Sequence, residues 1–103
     1  MAKRLTIWLA FAAACVLTPF AGMGAAEPHP GQAPYDRECK VCHGAEGIGN
    51  AGPALVPFSL DVDELLIRVR EGGGEMPPIS EKRVSDDEVK QIAAYLTSLS
   101  HEP

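Results

Sequence analysis

Apolar positions follow two different patterns along this chain. From Leu5 to Phe20 they form a nearly continuous run, broken only by Thr6, Thr18 and Pro19. Past residue 27 they become periodic, and the period is helical. Val62, Leu65, Leu66 and Val69 recur at i, i+3, i+4 and i+7, which puts them on one stripe of a helix. Asp61 precedes the stripe and Glu64 follows three residues later, a capping-box pattern, and Gly72 supplies the stop. Val89, Ile92, Ala93, Leu96 and Leu99 mark a second face with Tyr95 beside it, behind Ser85-Asp86-Asp87-Glu88. That box predicts helix from Asp86 to about Ser98, with three acids at the favourable end of its dipole. A first helix is expected from about Gln32 to Cys42, with Pro34 tolerated in its opening turn. Tyr35, Cys39 and Cys42 then share one of its faces. No alternating strand pattern occurs beyond residue 26, so the expected class is all-α with three main helices.

The stretches between the helices are equally informative. Gly44 to Gly52 holds four glycines and no periodicity and reads as a loop. Gly72-Gly73-Gly74-Glu75-Met76-Pro77-Pro78 places a single methionine on a segment that cannot be helical.

The uninterrupted N-terminal run changes the domain picture. Lys3 and Arg4 form a basic start, and Gly22-Met23-Gly24-Ala25-Ala26 supplies small residues at a cleavage site. Residues 1–26 read as a signal peptide cleaved after Ala26, leaving a single domain over residues 27–103. An uncleaved anchor is the alternative, because Leu5 to Ala26 could barely span a bilayer. A lipoprotein signal ending at Cys15 lacks the branched residue normally found ahead of the cysteine. Export places the domain outside the cytoplasm, in a bacterial periplasm.

Those 77 residues keep three aromatics, Tyr35, Phe58 and Tyr95, and two cysteines. A chain so short does not usually bury enough apolar surface by itself. They carry seven Lys and Arg against fourteen Asp and Glu, a net charge near −7. Such a surface excludes nucleic acid and anionic lipid as natural partners and suits a protein presenting a basic docking patch. A solvated acidic surface that serves only solubility is the plainer account of the same charge.

Cys39-Lys40-Val41-Cys42-His43 supplies what the small core lacks. Two thiols three residues apart, followed at once by an imidazole, form the c-type haem attachment pattern. The sulfurs bond the two vinyl groups of one porphyrin and His43 reaches the iron. A neutral, iron-bound imidazole needs an acceptor for its other N–H. The Pro53 carbonyl, in Gly52-Pro53-Ala54-Leu55, is a candidate, and a simple turn is the competing account of that segment. Met76 suits a second axial ligand, which raises the haem potential; a hydrophobic plug is the alternative role. His29 and His101 are alternative ligands, but they lie in polar terminal segments expected to be solvated, as are Arg68 and Arg70. A zinc or thiol–disulfide module built on the cysteine pair would want a fourth ligand or a βαβ pattern, and neither is visible.

These pieces, in order, resemble class I c-type cytochromes over nearly all of residues 31–100. They are Gly31-x-x-x-Tyr35, Cys39-x-x-Cys42-His43, Gly52-Pro53-x-Leu55, Met76-Pro77 and a last helix bearing Tyr95. The resemblance implies one haem c held through Cys39 and Cys42, with His43 and Met76 on opposite faces of the iron. It also implies Pro53 as acceptor for the histidine, and aromatics packed where the first and last helices cross. His43 and Met76 lie 33 positions apart, which is most similar to short bacterial forms, including modules of larger oxidases and dehydrogenases. A short segment there leaves one haem edge less covered. The implied function is an electron carrier or electron-transfer subunit rather than an enzyme. A five-coordinate haem enzyme or gas sensor is the alternative, and it requires Met76 to be a bystander.

Overall fold

The computed structural model describes residues 27–101; the expected signal peptide lies outside them. Helix α1 spans Gln32–Glu38, α2 Lys40–His43, α3 Val62–Glu71 and α4 Asp86–Ser100, with a 3-10 turn at Ala45–Gly47. No strand occurs among the described residues, apart from an isolated bridge between Gly73 and Met76.

Both capping boxes form. Asp61 Oδ1 accepts from the Glu64 N–H at 2.8 Å while Glu64 Oε1 accepts from the Asp61 N–H at 3.3 Å. Ser85 Oγ accepts from the Glu88 N–H at 3.1 Å and Glu88 Oε1 from the Ser85 N–H at 3.0 Å. The exposed Glu88 carboxyl is held below its usual range, first by the Ser85 N–H and then by Arg37. Helix α3 ends at Gly72, whose φ of +72° suits a residue without Cβ. Helix α4 continues two residues past the expected Ser98. There the Thr97, Ser98 and Ser100 hydroxyls donate back to the carbonyls of Ala93, Tyr95 and Leu96, and Leu99 packs against the core.

The expected first helix is two helices. Cys39 has φ −115° and ψ −33°, well off the helical −63°. Its N–H still closes α1 on the Tyr35 carbonyl, while its own carbonyl receives the His43 N–H and starts a new turn. The break redirects the side chains. Tyr35 is fully buried, and the cysteines are left free to face elsewhere.

Helix α4 is the spine, packing on both α1 and α3. Its Val89 and Leu96 are fully buried with Tyr35 and Val84, and Leu65, Val69 and Ile79 complete the core on the α3 side. The α1 end crosses α4 at Gly31, where a Cβ would overlap the Gln91 carbonyl oxygen and stand 2.7 Å from Tyr95 Cβ.

Arg70 is not solvated as its sequence position suggested. It donates to the carbonyls of Ile79 at 3.0 Å and Val84 at 2.9 Å, and pairs with Asp86 at 2.6 Å. One guanidinium thus joins α3, the loop behind it and the start of α4. Arg70→Ala leaves two part-buried carbonyls without their donor, and thermal denaturation is expected to show a loss of roughly 2–3 kcal/mol.

Candidate haem site

Between α2, α3, the Met76 loop and α4 lies a cavity of about 680 Å³, in the size range of cofactor sites. Leu55, Phe58, Leu65, Val69, Ile79 and Leu96 form much of its apolar wall. Cys39, Cys42, His43, Pro53 and Met76 all line it. The break at Cys39 brings the three α2-side groups to this wall while Tyr35 stays on the α4 side.

His43 is held by its backbone and its ring. Its carbonyl accepts from the Gly49 N–H at 2.7 Å, and the Gly52 N–H donates to the Cys42 carbonyl at 2.6 Å. The glycine loop therefore curls back over α2 and brings Pro53 to the imidazole. His43 Nδ1 lies 2.8 Å from the Pro53 carbonyl oxygen. A carbonyl only accepts, so Nδ1 carries the proton and Nε2 keeps a lone pair. That is the tautomer a metal-binding imidazole requires.

Met76 is held by a tight turn. The Gly73 N–H donates to the Met76 carbonyl at 3.0 Å and the Met76 N–H to the Gly73 carbonyl at 2.9 Å. Two residues on from Pro77, the Ile79 N–H closes the loop on the Val69 carbonyl of α3 at 2.8 Å. The Met76 side chain is half-buried and packs against the core.

Burial pushes the Cys39 thiol up to about 11, with the Glu38 carboxylate adding to the shift and Arg37 opposing it. Glu38 itself is well covered; Arg37 Nε donates to its Oε2 at 3.1 Å, and Arg83 Nη2 stands 2.7 Å from Oε1 out of hydrogen-bonding alignment. The donor set fits haem c: two thiols for vinyl groups, one imidazole with a fixed tautomer, one thioether and a mostly apolar wall.

Three sequence candidates, Tyr35, His29 and His101, stand elsewhere. Tyr35 does not line the cavity. Its hydroxyl donates to the Gly44 carbonyl at 2.7 Å and its ring meets Tyr95 at 5.7 Å, so it braces α1, α4 and the loop after α2. Burial, above all, pushes that phenol up to about 12. His29 is half-buried rather than solvated, with Nδ1 accepting from the Gly31 N–H at 2.9 Å and its ring 5.5 Å from Tyr95; it too is absent from the lining. His101 is exposed. Conversely, Glu38 and Arg68 do line the cavity. Arg68 precedes the buried Val69 on α3 and Glu38 precedes Cys39; that adjacency was the only signal in the sequence.

A strandless helical shell around an apolar cavity, with a Cys-x-x-Cys-His segment on its wall, is the architecture of a class I c-type cytochrome. Residues 26–96 match the family described as cytochrome c oxidase, cbb3-type, subunit III, and the chain belongs to that family. Among solved structures, it is similar to the c-type cytochrome XoxG from Methylobacterium extorquens AM1. That match has a TM-score of 0.62 and 29% identity, over 70% of this chain and 49% of that one. It is also similar to the c-type cytochrome NirC, with a TM-score of 0.55 and 25% identity, over 71% of this chain and 91% of that one. A shorter likeness is to the dihydro-heme d1 dehydrogenase of Pseudomonas aeruginosa, 52% identical over 31 residues, which are 30% of this chain and 6% of the enzyme. The chain thus spans about half the length of XoxG and a small part of the dehydrogenase. It is a haem protein of electron transfer, with covalently bound haem c. No helix among the described residues is long and apolar enough to cross a membrane.

Proposed function

We propose that this chain is an exported, monohaem c-type cytochrome that passes single electrons, either as a free periplasmic carrier or as a subunit of a dehydrogenase or oxidase. The observation that carries the proposal is the meeting of two thiols, a tautomer-fixed imidazole and a loop-borne thioether on one apolar cavity. Cys39 and Cys42 hold the porphyrin by thioether bonds. His43 offers Nε2 to the iron, with Pro53 keeping the Nδ1 proton in place. Met76 offers its sulfur from the opposite loop. The haem supplies a one-electron couple; the chain excludes water from it and fixes both ligands. With both axial positions taken by protein, no position remains for a substrate, and this favours transfer over catalysis.

Several features support a protein partner. Val41 and Ile48 are 75% and 72% exposed, in and just after the attachment segment, and would flank the uncovered haem edge where electrons enter and leave. The surplus of acids beyond residue 26 suits a basic patch on the partner and association that weakens with salt. The family description and the local likeness to a dehydrogenase both favour a place within a larger enzyme.

Pyridine haemochrome spectra of the purified protein test the proposal. The expected result is one haem c per chain with both vinyl groups saturated. Cys42→Ala is expected to move the α-band to that of a singly attached haem. A spectrum without haem c overturns the proposal.

A further inference from the structure

Glu38 closes α1 directly before the first attachment cysteine. Glutamate side chains are rarely buried unless they are paired, yet this one keeps only 7% of its surface exposed and lines the haem cavity. Its two oxygens fare differently. Oε2 accepts from Arg37 Nε at 3.1 Å. Oε1 is sealed from solvent without a hydrogen bond, because Arg83 Nη2, 2.7 Å away, lies out of alignment. A dehydrated carboxylate oxygen left in this way is costly to keep.

The cluster that holds Glu38 is built from three parts of the chain. Arg37 Nη2 donates to Glu88 Oε1 and to the Arg83 carbonyl, both at 3.0 Å, and Glu88 is itself fixed by the Ser85 cap. Two cations, Arg37 and Arg83, thus face two carboxylates, Glu38 and Glu88, and the formal charges cancel. Their placement does not cancel. Neither arginine lines the cavity, and their side chains are 46% and 60% exposed. Water and salt screen such cations over about 10 Å at 0.1 M ionic strength, whereas a charge on a dry apolar wall is screened much less. Inside the cavity the carboxylate therefore outweighs the arginines behind it. The other Lys, Arg, Asp or Glu on the lining, Arg68 and Glu75, are exposed residues.

We propose that the Glu38 carboxylate is a built-in negative charge that lowers the reduction potential of the haem. This rests on the haem reading given above. Ferric haem carries one more positive charge than ferrous haem, so a buried anion on the wall favours the ferric state. Glu38 then offsets part of the rise that the Met76 thioether supplies, and the arginine cluster fixes it as a positioned charge.

The test is spectroelectrochemistry of the holoprotein at low and high ionic strength, comparing wild type with E38Q and E38D. E38Q keeps the shape and removes the charge; its midpoint is expected to rise, and to rise nearly as far at high salt. E38D keeps the charge, and its midpoint is expected to stay closer to wild type. The ferric methionine-to-iron band is expected intact in both. An unchanged or lower midpoint in E38Q overturns the proposal. So does an equal rise in E38D, because the fit of the clamp would then be the cause. A rise that salt abolishes also overturns it, and so does loss of the methionine band in E38Q. Redox-difference infrared spectra of the wild type, with carbon-13 in its glutamate carboxylates, need no variant. A glutamate carboxylate band that shifts on reduction, and still shifts at high salt, is expected; its absence overturns the proposal. A protein without haem c fails the earlier reading; a haem c protein whose midpoint ignores the Glu38 charge fails only this one.

Discussion

Met76→Ala is expected to lose the near-infrared methionine-to-iron band of the ferric protein and to lower its reduction potential. Axial ligands set haem potentials over a range of about 0.8 V, and a thioether lies toward the upper part of it. Replacing it with water or a stronger donor is expected to cost on the order of 0.1 V or more. The same variant is expected to bind carbon monoxide when reduced, where the parent protein resists it. Fold stability is affected far less, because Gly73 and the Ile79–Val69 link hold the loop through its backbone rather than through the thioether. If the band persists in the variant, Met76 is not the ligand, and a five-coordinate or differently ligated haem becomes the better account.

Gly31→Val carries the largest expected stability effect. Gly31 has φ −82° and ψ −10°, which any residue tolerates, so the cost is wholly steric. The new side chain meets the Gln91 carbonyl oxygen and Tyr95 Cβ, both on the α4 side. Rigid helix backbone cannot swing aside as a long side chain can. Overpacking of this kind costs about 3 kcal/mol, or roughly 12–24 °C of melting temperature in a domain this small. Gly74→Ala is the informative contrast. Its φ of +60° penalises a side chain, but nothing lies within 4 Å of the added Cβ, so only about 1 kcal/mol is expected. Circular dichroism melts of the two ferric variants separate helix crossing from backbone strain. Similar melts would place the α1–α4 contact elsewhere.

What the sequence made legible was what depends on neighbours along the chain. The boxes at Asp61–Glu64 and Ser85–Glu88, the stop at Gly72 and the buried stripes of α3 and α4 each need only three or four adjacent positions. The non-helical Met76 loop was equally plain, because glycines and prolines act locally. The break at Cys39 was not legible: nothing in Gln32 to Cys42 forbids a straight helix, and the turn there separates Tyr35 in the core from the cysteines on the cavity wall. Arg70 was misread for a related reason. Its partners at Ile79, Val84 and Asp86 are nine to sixteen residues away, and in sequence it is indistinguishable from the exposed Arg68. The residues proposed to hold the haem stood out by type and spacing, and Cys39, Cys42, His43, Pro53 and Met76 do line one cavity, whereas Glu38 and Arg68 reached it through tertiary placement alone.

The paired hydrogen bonds between Gly73 and Met76 bear on how fast an electron can cross. A ligand on a slack loop would settle at one position around ferric iron and another around ferrous iron, and each transfer would wait for that shift. Here Gly73 and Met76 close a four-residue ring, and the Ile79–Val69 bond anchors that ring to α3. The conformational freedom of the loop is surrendered once, when the chain folds. As the proposed ligand, the sulfur is offered from the same place before and after the electron arrives, so little nuclear motion need accompany each transfer.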